Sequence, residues 1–326
     1  MSRVYDMRDP ATRSRGIAAA VAALRRGELV AMPTETVYGL AADAGNAMAV
    51  EGIFLAKARP RFNPLIVHVE SRAAAAAIAT FSVDAERLAE RFWPGPLTLV
   101  LPRRPGAAIA KAATAGLDSV AVRVPDDENA QALLAAFSGP LVAPSANRSG
   151  RLSATTASAV SEDLGDTVAV ILDAGPTAIG VESAIVGFAG GEPLLLRAGG
   201  LARAAIEAAI GRELGTPASD PAAPTAPGML ASHYAPAAAL RLDVASVEPG
   251  EALLAFGPAI PPGAERAAAV VNLSEAGDLE EAAARLFSAL RELDRGVKVI
   301  AVAPIPREGL GEAINDRLRH AAAPRS

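Results

Sequence analysis

Three cationic side chains and one amide stand close together in the segment KARPRFNPL, residues 57–65. Lysine offers a compact charge and arginine a planar fork of donors, so together they can bind neighbouring phosphate groups in different geometries. The same residues could instead form a solvated helix end, where cations complement the helix dipole. Spacing alone favours the exposed helix end, and a polyphosphate site is the functional alternative.

A second candidate is the segment APSANRSGRLS, residues 143–153, which follows the short apolar run Leu141-Val142. Small hydroxyls, an amide and glycine allow backbone and side-chain donors to approach an anionic oxygen closely. An ordinary turn rich in serine and asparagine has the same composition. The segment therefore predicts a strand-to-loop edge that could cradle a phosphate.

Arg123 and His68 are candidates for contacting a small substrate. In VAVRV, residues 120–124, the two-residue period of a strand places Arg123 opposite the three valines. A guanidinium presented in this way could bind a carboxylate with two parallel hydrogen bonds, although a salt bridge at a sheet edge is the more common arrangement. His68 also faces away from its apolar neighbours in IVHV, residues 66–69, and taken alone it would be a hydrogen-bonded structural histidine.

Apolar runs alternate with helix-like segments up to about residue 212, which predicts a layered α/β domain that positions these residues. Apolar spacing marks a first helix around residues 17–24, and Asn46 can cap a second helix that ends before a proline. Lys57 and Arg59 would stand at the C-terminal end of that helix. The strands of one large twisted sheet are predicted at 29–32, 65–69, 97–101, 120–124, 168–172, 184–188 and 194–196.

The remainder of the chain predicts a connector and a second domain. Five prolines lie from Pro217 to Pro236 among small residues, a composition typical of an extended linker. Later strands are predicted at 253–256, 270–273 and 297–302, with a helix over 278–293. We therefore predict a first domain over residues 1–212, a Pro-rich linker or lid over 213–237, and a smaller C-terminal Rossmann-like α/β domain over 238–326.

Composition argues against several classes of function. The chain has 326 residues, no cysteine and a formal net charge of −5, which opposes a broad nucleic-acid-binding surface. It has no G-x-x-x-x-G-K-[ST], G-x-G-x-x-G, H-E-x-x-H or G-x-S-x-G pattern, so the familiar phosphate loops, zinc sites and hydrolase triads are not expected. No apolar run reaches the length of a membrane span and no secretory leader is evident, which predicts a soluble, cytoplasmic protein.

Six ordered strings together resemble the threonylcarbamoyl-AMP synthase family, which has the YrdC-like fold, in its long two-domain form. They are PTETVYGL (33–40), KARPRFNPL (57–65), FWPGPLT (92–98), RVP (123–125), SANRSGRLS (145–153) and VES (181–183). They are distributed in order over residues 29–200. The resemblance implies a YrdC-like α/β domain with a large twisted sheet and flanking helices, followed by the smaller C-terminal domain.

The resemblance also implies the residues that contact two substrates. L-Threonine would be bound by Thr36, His68, Arg123 and Ser183. ATP would be bound by Lys57, Arg59, Asn63, Ser119, Ser145, Asn147, Ser153, Arg197 and Tyr234. The catalytic residues among them would be Lys57, Arg59, Ser145 and Asn147, which would neutralise the triphosphate and position its oxygens. Mg²⁺ would arrive with ATP and take no protein ligand.

The connector resembles the long form as well, through PGM (227–229) and HYAP (233–236). In relatives this segment lies over the active site, so Tyr234 is predicted to be a lid residue near the nucleotide. The alternative is that Tyr234 only packs the linker.

The activity implied by the resemblance is that of a nucleotidyltransferase, which joins L-threonine, bicarbonate or CO₂ and ATP into threonylcarbamoyl-AMP and releases pyrophosphate. The product would pass to a separate transferase complex that modifies tRNA, and direct contact with tRNA stays open. The alternative class is a non-catalytic RNA-binding module of the same fold, which the net charge disfavours. A member with a diverged substrate is disfavoured by the intact pairs Lys57-x-Arg59 and Ser145-x-Asn147.

Overall fold

A ten-stranded mixed sheet forms the first domain in the computed structural model, which describes residues 2–188, 191–217 and 234–324. Its strands are β1 Arg3–Asp6, β2 Val30–Met32, β3 Gly39–Asp43, β4 Ile66–His68, β5 Leu97–Pro102, β6 Ser119–Arg123, β7 Leu141–Val142, β8 Val170–Asp173, β9 Ala184–Gly187 and β10 Leu194–Arg197. They lie side by side in the order β1-β8-β2-β3-β7-β4-β6-β5-β9-β10. All seven strands predicted from the sequence are therefore confirmed.

Helices cover both faces of this sheet: α1 Pro10–Arg25, α2 Ala47–Lys57, α3 Arg72–Ile78, α4 Val83–Phe92, α5 Glu128–Phe137, α6 Ala157–Leu164 and α7 Arg203–Ile210. Neighbouring residues of β2 enter different cores, because side chains alternate across a strand. Val30 and Met32 pack with α1 and α5, whereas Ala31 packs with α2 on the opposite face. Both faces of the sheet are thus buried.

The helix α2 has well-defined ends, and its C-terminal end leads into the site. It begins after Asn46, whose side chain accepts the backbone N–H groups of Met48 and Ala49. It ends at Lys57, because Ala58 adopts a left-handed conformation with φ of 49°. At this turn the chain leaves α2 and continues towards β4, so Lys57 and Arg59 lie on either side of the turn.

The second domain is a four-stranded parallel sheet with helices. Its strands are β11 Ala239–Arg241, β12 Ala252–Ala255, β13 Ala269–Asn272 and β14 Val299–Val302, in the order β11-β14-β12-β13, and its helices are α8 Leu279–Leu293 and α9 Leu310–Ala322. Asp278 caps α8 by accepting the N–H groups of Glu280 and Glu281. The prediction of a smaller C-terminal α/β domain is confirmed.

The two domains share one apolar core. Val37, Leu152 and Val181 of the first domain belong to the same buried cluster as Leu286 and Phe287 of α8. Contact is close at Gly180, which has φ of 78°, since a Cβ there would lie 2.3 Å from the carbonyl oxygen of Ala283. The interface therefore packs like a protein interior.

Residues 218–233, which make up most of the predicted linker or lid and include His233 and the PGM string, lie outside the described residues. The predicted boundaries at 212 and 238 stay a prediction. Within the described part of the chain, no helix is both long and apolar enough to cross a lipid bilayer.

Candidate active site

Residues from distant parts of the sequence line one cavity at the carboxyl ends of β4 and β6. These two strands are parallel neighbours and their last residues, His68 and Arg123, are paired in register. The cavity is lined by Thr34, Thr36, Val37, Gly39, Arg59, Ile66, His68, Arg123, Ala143, Pro144, Ser145, Glu182, Ser183, Arg197 and Tyr234. Eight of the thirteen predicted site residues are in this set, so the fold brings most of them together.

Arg123 is held in place from three sides. Its Nη1 donates to the hydroxyl of Thr36 at 2.9 Å, and its Nε donates to the carbonyl oxygen of Gly95 at 3.3 Å. Its Nη2 lies 2.7 Å from a carboxylate oxygen of Glu35, and both side chains are buried. The predicted placement of Arg123 opposite the valines is correct, because Val122 lies in the core on the other face.

His68 is a neutral side chain in this site. Its Nδ1 lies 3.3 Å from the carbonyl oxygen of Ile66, and the ring is buried. Burial, together with the charge of Arg123, lowers the pKa of His68 to about 3. At neutral pH the imidazole can therefore accept or donate a hydrogen bond but carries no charge.

The expectation of an exposed end for α2 was wrong. Lys57 is 1% exposed, and its ammonium donates to the backbone carbonyls of Ser145 and Asn147. The reason is that the loop after β7 folds over the helix end, where the N–H of Ser149 donates to the carbonyl of Lys57 at 2.8 Å. Burial and the neighbouring Arg59 lower the pKa of Lys57 well below its ordinary value. Lys57 thus joins the two predicted phosphate-binding segments to each other.

Arg59 is also buried, and it does line the cavity. Its Nε and Nη2 donate to the carbonyls of Asn63 and Pro64 at 3.2 and 2.9 Å. Burial lowers the pKa of Arg59 to about 10, which leaves it cationic at neutral pH. The segment 59–64 therefore closes on itself and presents the guanidinium to the site.

Arg197 and Ser183 form the opposite wall. Both Nε and Nη2 of Arg197 donate to the carbonyl of Ser183, at 3.1 and 3.0 Å, and Nη2 also donates to its hydroxyl at 3.2 Å. The Ser183 hydroxyl lies 2.8 Å from that of Thr98. Tyr234 is 2% exposed and lines the cavity, so it both packs against the second domain and faces the site.

Among the described residues that line the cavity, Glu182 is the single carboxylate. It accepts hydrogen bonds from Ser153 and from Nε of Arg317, the latter at 2.7 Å. Burial alone would raise the pKa of Glu182, but Arg317, Arg197 and Ser153 hold it at about 2. The described residues therefore form a cationic cavity whose one carboxylate is ionised at neutral pH.

Family models match both parts of the chain. Residues 22–199 match the model Sua5_yciO_yrdC, described as telomere recombination, and residues 201–323 match the model described as threonylcarbamoyl-AMP synthase, C-terminal domain. The chain belongs to the threonylcarbamoyl-AMP synthase family.

Individual relatives agree with this membership. The threonylcarbamoyl-AMP synthase of Bacillus subtilis is 42% identical over 327 residues, covering 95% of this chain and 93% of the relative. The crystal structure of Pyrococcus abyssi Sua5 complexed with L-threonine is similar with a TM-score of 0.88 at 38% identity, covering 99% of this chain and 97% of that one. A putative threonylcarbamoyl-AMP synthase of Mycobacterium leprae is 40% identical but matches only 65% of this chain, with 95% of its own length.

Five residues predicted for this synthase family site lie outside the cavity lining. Lys57, Asn147 and Ser153 are buried just behind it: the Asn147 amide donates to the carbonyls of Arg148 and Arg151, and Ser153 bonds to Glu182. The side-chain amide of buried Asn63 has no hydrogen-bond partner among the described residues. Ser119 begins β6, about 13 Å along the strand from Arg123. Their ATP contacts stay predictions.

Glu182 and Arg317 were not singled out from the sequence. Glu182 stands inside the string VES, directly before Ser183, which was expected to contact threonine, and that was the available signal. Arg317 lies 135 residues further along the chain, in α9. The chain is rich in arginine, so the sequence alone does not distinguish Arg317 from the other arginines.

Replacing His68 by glutamine should reduce the acid sensitivity of the protein. Because the pKa of His68 is about 3 in the folded chain and near 6.5 when unfolded, the unfolded state binds more protons between these values, so stability falls as pH falls through that window. For the wild-type protein we expect about 2 kcal/mol of this loss between pH 7 and pH 5. Urea unfolding at the two pH values measures it.

His68→Gln should lose that part of the pH dependence, whatever its absolute stability. Thr98→Val, a buried replacement that removes no titrating group, should lower the free energy of unfolding equally at both pH values. An unchanged pH dependence in His68→Gln would show that His68 is not the group buried in its neutral form.

Proposed function

We propose that this chain condenses L-threonine, bicarbonate or CO₂ and ATP into threonylcarbamoyl-AMP and releases pyrophosphate. The observation that supports this most strongly is the convergence of Arg123, Thr36, His68 and Ser183 with the cations Arg59 and Arg197 in one buried cavity. The names of the relatives and the threonine-bound structure of a similar protein support the same reaction.

Arg123 and its neighbours fit an amino acid. A guanidinium at the carboxyl end of β6 can bind the threonine carboxylate through two hydrogen bonds, since each terminal nitrogen carries two N–H groups. Thr36 and Ser183 provide hydroxyls and His68 a neutral imidazole for the hydroxyl and amine of the substrate. A neutral histidine suits this place because an imidazolium would repel an ammonium.

The other wall fits a polyphosphate. Arg59 and Arg197 are buried cations, and Lys57 fixes the loop that presents the Ser145 side chain. Charge-assisted hydrogen bonds from such groups are stronger than neutral ones. Their rigid placement stabilises the extra negative charge that develops on the phosphate oxygens during transfer.

The reaction that we assign to the site has two steps. The free amine of threonine attacks the carbon of CO₂, or of bicarbonate with loss of water, and loses a proton to give an N-carboxylate. An oxygen of that carboxylate then forms a bond to the α-phosphorus of ATP in line with the P–O bond that breaks, and pyrophosphate leaves with that electron pair. This displacement needs positioning and charge neutralisation more than acid–base groups, which agrees with a site rich in cations.

Mg²⁺ enters this proposal with ATP. The described lining fits that choice, because it includes three arginines and several hydroxyls and its one carboxylate, Glu182, is already bonded to Arg317 and Ser153. Among the described residues, no group of three His, Asp or Glu side chains is placed to hold a metal. When bound, the ion would neutralise phosphate charge alongside Arg59 and Arg197.

The product would be handed to a tRNA threonylcarbamoyl transferase complex in the cytoplasm. The mixed anhydride between a carbamate and AMP reacts readily with water, so the reaction needs a site that excludes water. Direct contact with tRNA is not part of the proposal.

Pyrophosphate release tests this function. The purified protein should release pyrophosphate from Mg-ATP when threonine and bicarbonate are both present, and should release little when either is omitted. Equal release without threonine would contradict the assignment. A stable RNA complex without turnover would favour the RNA-binding alternative instead.

A further inference from the structure

Arg317 belongs to the second domain, but its side chain reaches the site of the first. It lies in α9 and is 1% exposed. Its Nε donates to Glu182 at 2.7 Å and its Nη2 donates to the carbonyl of Ala198 at 3.0 Å. The guanidinium carbon also lies 4.9 Å from the centre of the Tyr234 ring, a cation–π distance. Glu182 and Tyr234 both line the cavity.

Glu182 needs such a partner if the cavity is to bind anions. Its carboxylate is almost fully buried, where an unpaired charge interacts strongly with other charges because little water screens it. The phosphates of ATP and the carboxylate of threonine would both bring negative charge into this cavity. Without Arg317, Glu182 would keep Arg197 and the hydroxyl of Ser153 as neighbours but would lose its own ion-pair partner.

The position of Arg317 is well supported within the second domain. Two residues earlier, the amide of Asn315 donates to the carbonyls of Ile305, Pro306 and Gly311, which fixes the start of α9 against the preceding loop. Asp316 accepts from Nη1 of Arg317 at 2.5 Å. The arginine is therefore held by its own domain and directed into the other one.

We propose that Arg317 is a positioning residue of the active site: it neutralises Glu182 and holds Tyr234 against the cavity, so that the second domain completes the nucleotide-binding surface of the first. This inference rests on the proposed function, because it concerns the same site. It assigns the C-terminal domain a role in ATP binding through one defined side chain.

A second ion pair between the same two domains provides a control that shows whether Arg317 acts only by holding the domains together. Arg203 of α7 and Glu312 of α9 are 2.7 Å apart, but neither lines the cavity and their side chains are 32% and 29% exposed. Arg203→Gln thus removes an arginine that joins the domains without changing the charge at the site.

The experiment measures the ATP dissociation constant by calorimetry, and the kcat and KM values by pyrophosphate release, for full-length variants. Arg317→Gln should weaken ATP binding by about tenfold or more, as expected for one uncompensated charge near the phosphates. Glu182→Gln in the Arg317→Gln background should recover most of that loss, because it removes the charge that Arg317 neutralises. The ATP affinity of Arg317→Lys should lie between those of the wild type and Arg317→Gln. Arg203→Gln should bind ATP as the wild type does.

Recovery of ATP binding in the double variant would show that the loss in Arg317→Gln comes from the uncompensated charge of Glu182. A simple loss of packing would give the opposite result, because a second substitution would weaken binding further. If Arg317→Gln does not fold, folding and ATP binding by the double variant would support the proposal equally. Unchanged ATP affinity in Arg317→Gln, or a double variant as weak as the single one, would overturn it. If the wild type bound ATP but made no threonine-dependent pyrophosphate, the proposed reaction would fail while the ATP measurements would still decide the role of Arg317.

Discussion

Replacing Lys57 by methionine is expected to reduce pyrophosphate formation by at least about a hundredfold and to destabilise the fold by about 1–3 kcal/mol. Methionine can occupy the buried volume, but it donates no hydrogen bonds to the carbonyls of Ser145 and Asn147. Two buried acceptors would be left unsatisfied, and the loop that carries Ser145 would lose its tether to α2. A displacement of about 1 Å in a positioning element can cost two orders of magnitude in rate.

The measurements are steady-state pyrophosphate release and urea unfolding. Lys111→Met is the matched control, because it makes the same replacement at an exposed lysine. It should leave the rate of pyrophosphate release unchanged and should change the free energy of unfolding by no more than about 0.5 kcal/mol. Wild-type activity and stability in Lys57→Met would contradict the tethering role. A loss of stability with full activity in the remaining folded protein would limit Lys57 to the fold.

Replacing Arg123 by lysine is expected to raise the KM for threonine by about tenfold to a hundredfold, with little change in the KM for ATP. A charge-assisted hydrogen bond contributes about 1.5–3 kcal/mol, and lysine cannot form a two-pronged contact with a carboxylate. It also cannot contact Thr36, Gly95 and Glu35 at once, as the guanidinium does. The buried Glu35 would then lose its cationic partner.

Initial rates over a range of threonine concentrations at saturating ATP, and the reverse series, separate the two substrates. Arg72→Lys is the control, because it makes the same replacement in an exposed pair with Glu86. A changed ATP dependence with unaltered threonine dependence would mean that Arg123 serves the nucleotide instead of the amino acid.

The strands could be predicted where apolar residues run continuously or alternate, as in β5 and β6, because burial on both faces of a sheet selects such sequences. β1 was not predicted, since Arg3–Asp6 forms an edge strand with mostly exposed side chains and carries no apolar pattern. The helix α3 was missed for a related reason: in Arg72–Ile78 five consecutive alanines conceal which face is buried.

The sequence indicated which residues come together better than it indicated the surroundings of each residue. Arg123, His68 and Ser183 were expected to serve one substrate, and the structure brings them into one cavity. Each lies at the end of a strand or directly beside one. The burial of Lys57 was not predictable from local spacing, since it depends on a loop almost ninety residues away folding over the end of α2. The contact between Glu182 and Arg317 likewise depends on how two separate domains dock.

The apolar core that the two domains share should also govern how the molecule unfolds. Because Val37, Leu152 and Val181 are buried against α8, opening the interface exposes them together, and we expect one cooperative transition for the whole chain instead of two. The interface amides should accordingly exchange with solvent at the rate of global unfolding. An excised first domain of this protein would need polar residues at those three positions to remain free of aggregation.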